Sequence, residues 1–226
     1  MWFARDLRAG AGWGVVDVWG RPKSNVYAMR RAFAPRRLFI TDEGVNGLAL
    51  HAVNDGDAPL TGRLTMTCLR NGAQRVMAGS LDRVVPPRGG VTTSAFAMFG
   101  CFFDAGCAYG FGAPPHDVVV ATWEAGGEIL AETCWHPDHA RAVIHDAAPT
   151  VTITPDAGGW LMTITGERAL RSVVIADRAL VPADNWFHLA PGRPRRVRLQ
   201  ALPGHAPVPP RGEIRALDLA QPVPYG

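Results

Sequence analysis

The sequence predicts a mainly β protein, two tandem β-sandwiches with a single helix near the start. Three observations carry that reading. Apolar and polar residues alternate at period two along most of the chain, the spacing of half-buried strands. Turn formers are dense, with 25 glycines and 19 prolines in 226 residues, so the elements must be short. Strand-like runs recur every 8 to 15 residues with turn chemistry between them, the rhythm of a sandwich.

The opening stretch "MWFARDLRAGAGWGVVDVWG" has an apolar start, a Gly-rich middle and three tryptophans, and reads as a strand, a long loop and a turn. "RPKSNVYAMRRAFAP" (21–35) is the helical segment. Pro22 fits a first turn, where a missing N–H costs nothing. Val26, Met29, Arg30 and Phe33 share a face, and Pro35 closes the helix. From Arg37 the period becomes two. Leu48, Leu50 and Ala52 alternate in "GLALHAVND", as do Leu64, Met66 and Cys68 in "GRLTMTCLRNG", which ends on the hairpin signal Asn71-Gly72. "VMAGSLDRVVPPRG" follows, then two strands around Ala125-Gly126-Gly127. The polar stretch 136–149 reads as a linker. Beyond it Val151 and Ile153 face Trp160, Met162 and Ile164 in another hairpin, and "RSVVIAD" and "RRVRLQAL" add two strands.

Composition narrows the function classes. Apolar residues make up 47% of the chain, which excludes wholesale disorder, and no apolar run is long enough for a membrane-spanning helix. The net charge of +3 rests on 22 arginines and one lysine. In the densest basic run, 192–199, Arg196 and Arg198 alternate with Val197 and Leu199. That is a strand with a solvated face rather than a nucleic-acid patch, which would carry interleaved aromatics. Cys68, Cys101, Cys107 and Cys134 form no C-x-x-C pair and read as buried free thiols, which tilts the compartment toward the reducing cytoplasm. Cys134, His136 and His139 suggest zinc, but Pro137 spoils the helical spacing. No metal and no cofactor are expected.

"WFARDLRAGAGWGVVDVWGRPKSNVYAMRRAFAP", "LFITDEGVNGLALHAVND", "FFDAGCAYGFGAPPHDVVVATW" and "DNWFHLAPG" together resemble, in order, the C-terminal part of β-mannosidases. These are retaining glycoside hydrolases related to β-galactosidases. The resemblance implies three parts. Residues 1–35 would be the last strand and helix of a (β/α)8 barrel, 36–137 an Ig-like sandwich, and 148–226 a C-terminal Ig-like sandwich. It also implies that both catalytic glutamates lie upstream. None of Glu43, Glu124, Glu128, Glu132, Glu167 and Glu213 falls in a matching motif, and hairpin placement makes them solvated carboxylates. Retention needs two carboxyls about 5–5.5 Å apart. No catalytic residue is therefore assigned.

By the same resemblance, Trp2 sits where the family sets an aromatic against the sugar, at the carboxyl end of the last barrel strand. Asp6 and Trp13, in the following loop, lie near the same pocket. In the intact parent the three would bind substrate; in this chain alone they pack or cap the strand-to-helix connection. Asp184 and Asn185 of "DNWFHLAPG" read as turn residues. Trp186 and Phe187, being adjacent on a strand, face opposite sides.

Three functions compete. The leading one is a non-catalytic accessory region of a β-mannosidase-like hydrolase, partnered by an upstream barrel and open to homodimerisation. The second is a stand-alone sugar-binding module using Trp123, Trp135 or Trp186, with weak affinity for β-mannosides or other glycans. The third is an independent hydrolase. Neither nucleic acid nor membrane is expected as a partner. Residues 1–20, deprived of barrel neighbours, are expected to pack on the first sandwich or on a second copy, leaving the terminal sandwich indifferent to their deletion. Limited proteolysis should cut first within 136–149, where the polar composition implies few crossing contacts; initial cleavage inside 48–135 would refute that boundary.

Overall fold

The computed structural model describes residues 3–10, 12–110, 112–137, 143–206 and 208–226. In chain order the elements begin with β1 Phe3–Arg5, β2 Gly14–Val16, α1 Ser24–Ala32, β3 Arg36–Asp42 and β4 Leu48–Asn54. Next come β5 Leu60–Arg70, β6 Gln74–Val85, β7 Gly89–Ser94, α2 Ala95–Phe99, β8 Val118–Ala125 and β9 Glu128–Trp135. The last are β10 Thr150–Asp156, β11 Gly159–Thr165, β12 Leu170–Asp177, β13 Leu180–Pro182, β14 Phe187–Leu189, β15 Arg195–Ala201, β16 Gly212–Arg215 and β17 Val223–Tyr225. The protein is mainly β, as its sequence predicts. It forms two compact units, Phe33–Val143 and a discontinuous one of Met1–Ala32 with Ile144–Gly226.

In the continuous unit, the sheet β3-β4-β7 packs on the sheet β6-β5-β8-β9. The alternating residues read from sequence supply the core. Leu48, Leu50 and Ala52 come from one sheet, Leu64, Met66 and Cys68 from the other, joined by Val119, Ala121 and Trp123. Gly126 and Gly127, at φ 60° and 81°, make the two-residue turn between β8 and β9 that only glycine accepts without strain. The helix α2 has too few residues to show a helical period and is not foreseen by the sequence. Ser94 caps it by accepting the Ala97 N–H at 3.2 Å, and Ala95 and Met98 plug the core.

The terminal sandwich pairs β10-β11-β15-β13 with β14-β12-β16-β17. Val151 lies opposite Ile164 and Ile153 opposite Met162, as expected. Val197 and Leu199 are buried while Arg196 and Arg198 face water, so the basic run is the solvated side of β15. Asn185 reads as a turn residue but does more. Its buried side chain accepts the Ile175 N–H at 2.8 Å and donates to the Ile175 carbonyl at 3.2 Å, standing in for a missing strand partner of β12. Phe187 is buried at 2% exposure and Trp186 is 43% exposed, the opposed facing expected, although Trp186 lies just before β14 in left-handed backbone rather than on the strand.

The described residues among the first 32 depart from expectation in one respect: they form a compact unit with the terminal sandwich rather than with the first. Arg21 donates to the carbonyls of Asp177, Arg178 and Leu180. Tyr27 Oη donates to Pro182 O at 3.2 Å, Arg30 to Ala183 O, and Arg31 to Asp184 Oδ1 and to the carbonyls of Asn185 and Trp186. These acceptors run from the end of β12 along the edge strand β13 to the turn after it, so α1 and its approach cover an edge that would otherwise offer unpaired groups. The helix starts at Ser24, not Pro22, and Tyr27 is its buried anchor, whereas Phe33 is 72% exposed. The reason is the docking itself: the helix is tied to main-chain acceptors through donors rather than through an apolar stripe. Nor is 136–149 a free linker throughout. His145 bridges Leu219, with hydrogen bonds to Asp218 O and from Ala220 N.

Deleting residues 1–32 should therefore lower the melting transition of the terminal sandwich while that of 33–143 stays in place. Tyr27→Phe alone should cost about 1 kcal/mol, the net value of one hydrogen bond. Calorimetry and urea unfolding measure both; an unchanged terminal transition after the deletion would contradict the docking.

Candidate functional site

Two of the three expected site residues, Asp6 and Trp13, lie in the strand-to-helix connection. β1 and β2 pair in parallel, Phe3 with Gly14 and Arg5 with Val16, and the loop between them folds over Asp6. The Asp6 carboxylate is buried. Oδ1 accepts the Gly14 N–H at 2.7 Å and Oδ2 meets Lys23 Nζ at 2.5 Å, while Lys23 also donates to Gly12 O at 3.0 Å. The loop approaches so closely that a Cβ on Gly12 would overlap the Asp6 carboxylate, and one on Gly14 would sit 2.5 Å from the Asp6 backbone nitrogen. The Gly-rich middle of the opening stretch is thus the imprint of a carboxylate held by its own loop. The hydrogen bond from Lys23 holds Asp6 below the ordinary carboxylate range, helped by the Gly14 N–H and opposed by burial.

Trp13 crowns this loop at 86% exposure, beside an open depression lined by Gly12, Gly14, Lys23, Ser24 and Asn25. Trp2, the third residue expected here, lies outside the described residues. Chemically the site offers an exposed indole. Both of its charged groups are consumed by each other and by backbone, so neither is free to act as an acid or a base.

The remaining candidates separate. Trp123 is fully buried at 0% exposure in the first core, which overturns it as a sugar platform: the inward face of β8 carries it. Trp135 is half-buried against the same core. Trp186 is the one of the three with an exposed ring, and its backbone sits at φ 56°, a left-handed conformation that a bulky residue rarely adopts. Asn185 Oδ1 accepts its N–H, and Arg31 holds its carbonyl at 3.0 Å. Among the glutamates, Glu43, Glu124, Glu128 and Glu167 are exposed and Glu213 is bonded to Arg215. Of the metal trio, His136 Nδ1 lies 3.1 Å from Asp117 O, His139 is outside the described residues, and no cluster among the described residues could hold a metal ion. All four cysteines are free, but of the four only Cys68 is buried; Cys107 and Cys134 are half-buried and Cys101 is exposed.

The residue that sequence reasoning missed is His116, buried at 2% exposure. A histidine between prolines and a valine-rich strand gives no sign of which way it points.

The architecture has counterparts among solved structures. The β-D-mannosidase of Dictyoglomus thermophilum matches over 96% of this chain and 26% of its own, with a TM-score of 0.71 at 13% identity. The chain has the fold of part of a β-mannosidase. The exo-chitosanase of Amycolatopsis orientalis matches over 99% of this chain and 30% of its own, with a TM-score of 0.64 at 11% identity. A complex of that chitosanase with p-nitrophenyl β-D-glucosamine gives a TM-score of 0.64 at 12% identity, again over 99% of this chain and 30% of the other. At these identities the shared property is the fold, and the chain spans between a quarter and a third of each of those proteins. No protein-family model matches the sequence, and no curated protein is significantly similar to it.

The Asp6 cradle makes a pH prediction. A carboxyl held low in the fold stabilises it above the unfolded value, and that stability disappears as pH falls through the folded value. Acidification should release the loop and change the Trp13 emission only below the ordinary carboxylate pKa. Asp6→Asn should abolish that transition, and a Trp13 signal that titrates alike in both proteins would remove Asp6 as its cause.

Proposed function

We propose that the chain is a non-catalytic C-terminal accessory region of a β-mannosidase-like glycoside hydrolase. Residues 1–35 then derive from the last barrel strand and helix, and 36–137 and 148–226 are Ig-like sandwiches. The observation that carries this reading is a fold shared with one quarter of a β-D-mannosidase across 96% of the chain, with TM-score 0.71. Two features of the residues support it. Asp6 and Lys23 neutralise each other instead of offering a catalytic carboxyl, and the exposed glutamates sit on hairpins or loops of the sandwiches. In the parent, β1 and its loop would continue the barrel sheet, and Trp2 and Trp13 would rim the sugar site with Asp6 holding their loop. The partners are the upstream barrel and, in a dimer, a second copy.

The alternative is a sugar-binding module, favoured by the exposed rings of Trp13 and Trp186. The purified chain should show no turnover of p-nitrophenyl β-mannoside or β-glucosaminide. Activity that follows this polypeptide through re-purification would overturn the accessory reading. Saturable quenching of tryptophan fluorescence by mannobiose, without turnover, would favour the binding module.

A further inference from the structure

The connection between α2 and β8 has little regular structure, yet it closes one end of the first core. Phe103 packs edge-on against Phe99 at 5.8 Å, and Ala105 is fully buried. Asp104 accepts the N–H groups of Ala108 and Tyr109, and Tyr109 Oη donates to Val45 O at 3.1 Å. Farther along, Arg70 donates to Pro115 O and the Asp117 N–H to Leu69 O. Between these anchors His116 is driven into the interior, its ring 5.7 Å from that of Phe103. At 2% exposure neither nitrogen completes a hydrogen bond of good geometry, the Ala105 backbone being the polar group that comes nearest to doing so.

We propose that His116 is an acid-sensitive latch, seating the α2–β8 connection while its ring is neutral and releasing it when the ring is protonated. An imidazolium carries two N–H donors and a charge, and a buried charge without bonded partners is expensive. The groups that face it are the Ala105 backbone, Asp117 and Asp104. All three favour the charged form, but burial outweighs them and holds the ring below its ordinary value. Asp104 already accepts two backbone N–H groups and Asp117 accepts that of Gly72, so neither is idle. The released form binds the proton at the ordinary value of about 6.5 and the seated form only lower, so seating is strongest above that pH. Between the two values it weakens about tenfold per pH unit.

Hydrogen exchange of the full chain, corrected for intrinsic rates and compared at about pH 7.5 and about pH 5, tests the latch. The amides around Phe103, Ala105 and His116 should lose protection at the lower pH while those of β5 and β8 change less. His116→Leu should erase the difference. Equal protection of the wild type at both values, or a loss that persists in the variant, overturns the proposal. Should the variant fail to fold, the wild-type His116 resonance decides: a midpoint below about 6.5 supports the latch, and one at or above it refutes it.

Discussion

The donors of α1 and its approach, bonded to main-chain carbonyls 153 to 159 residues away in sequence, decide how this chain is assembled. Arg21, Arg30 and Arg31 are long, rigidly forked and permanently charged, so they reach a row of acceptors that a short apolar helix could not engage. Asp184 fixes the arrangement from the other side by receiving both Arg31 and Arg195. From that junction follow the covering of β13, the placement of the β1–β2 pair and the setting of the Asp6 cradle.

Two of the five described non-glycine residues at positive φ lie in the terminal sandwich. Trp186 and Ser172 both lie in the left-handed region, and Ser172 sits within the register shift between Leu170 and Val173 at which β12 and β14 fall out of step. The Ser172 N–H turns to His188 Nδ1 at 3.3 Å, and past the last β14 pair the side-chain amide of Asn185 takes over the ladder at Ile175. Strained residues persist where surrounding bonds over-determine them. Here those bonds are the amide of Asn185 and the guanidinium of Arg31. "DNWFHLAPG" is therefore first a joint between helix and sandwich, with the exposed face of Trp186 as its outward consequence.

What the sequence made legible follows from which interactions leave a periodic trace. Alternating cores do, and Leu48, Leu50, Leu64 and Met66 were readable for that reason. The opposed faces of Trp186 and Phe187 were foreseen from strand alternation, but Trp186 precedes β14 in left-handed backbone, so the turn and not the pleat directs it outward. Guanidinium-to-carbonyl bonds leave none, because every residue carries the same acceptor, so the docking of residues 1–32 could not be read. The Asp6 site was half legible. Resemblance pointed to Asp6 and Trp13, but only the fold shows why Gly12 and Gly14 must be glycine. Trp123 was misjudged because one strand residue faces inward or outward by register alone, and that register is set by β5 and β9.

The discontinuous unit has a kinetic consequence. Its first 32 residues and its sandwich are separated by the whole of Phe33–Val143. Closing so long a loop costs conformational entropy that rises only slowly with length, so the separation is thermodynamically tolerable. In time it matters more. A chain made from its N-terminus exposes α1 and the β1–β2 segment well before the carbonyls of 177–186 exist, and domains tend to fold as units during synthesis. The intervening sandwich can finish first and hold the two halves as a pre-closed loop. Until then Tyr27, the buried side chain of α1, waits in solvent, the interval in which a nascent chain of this design most needs protection from aggregation.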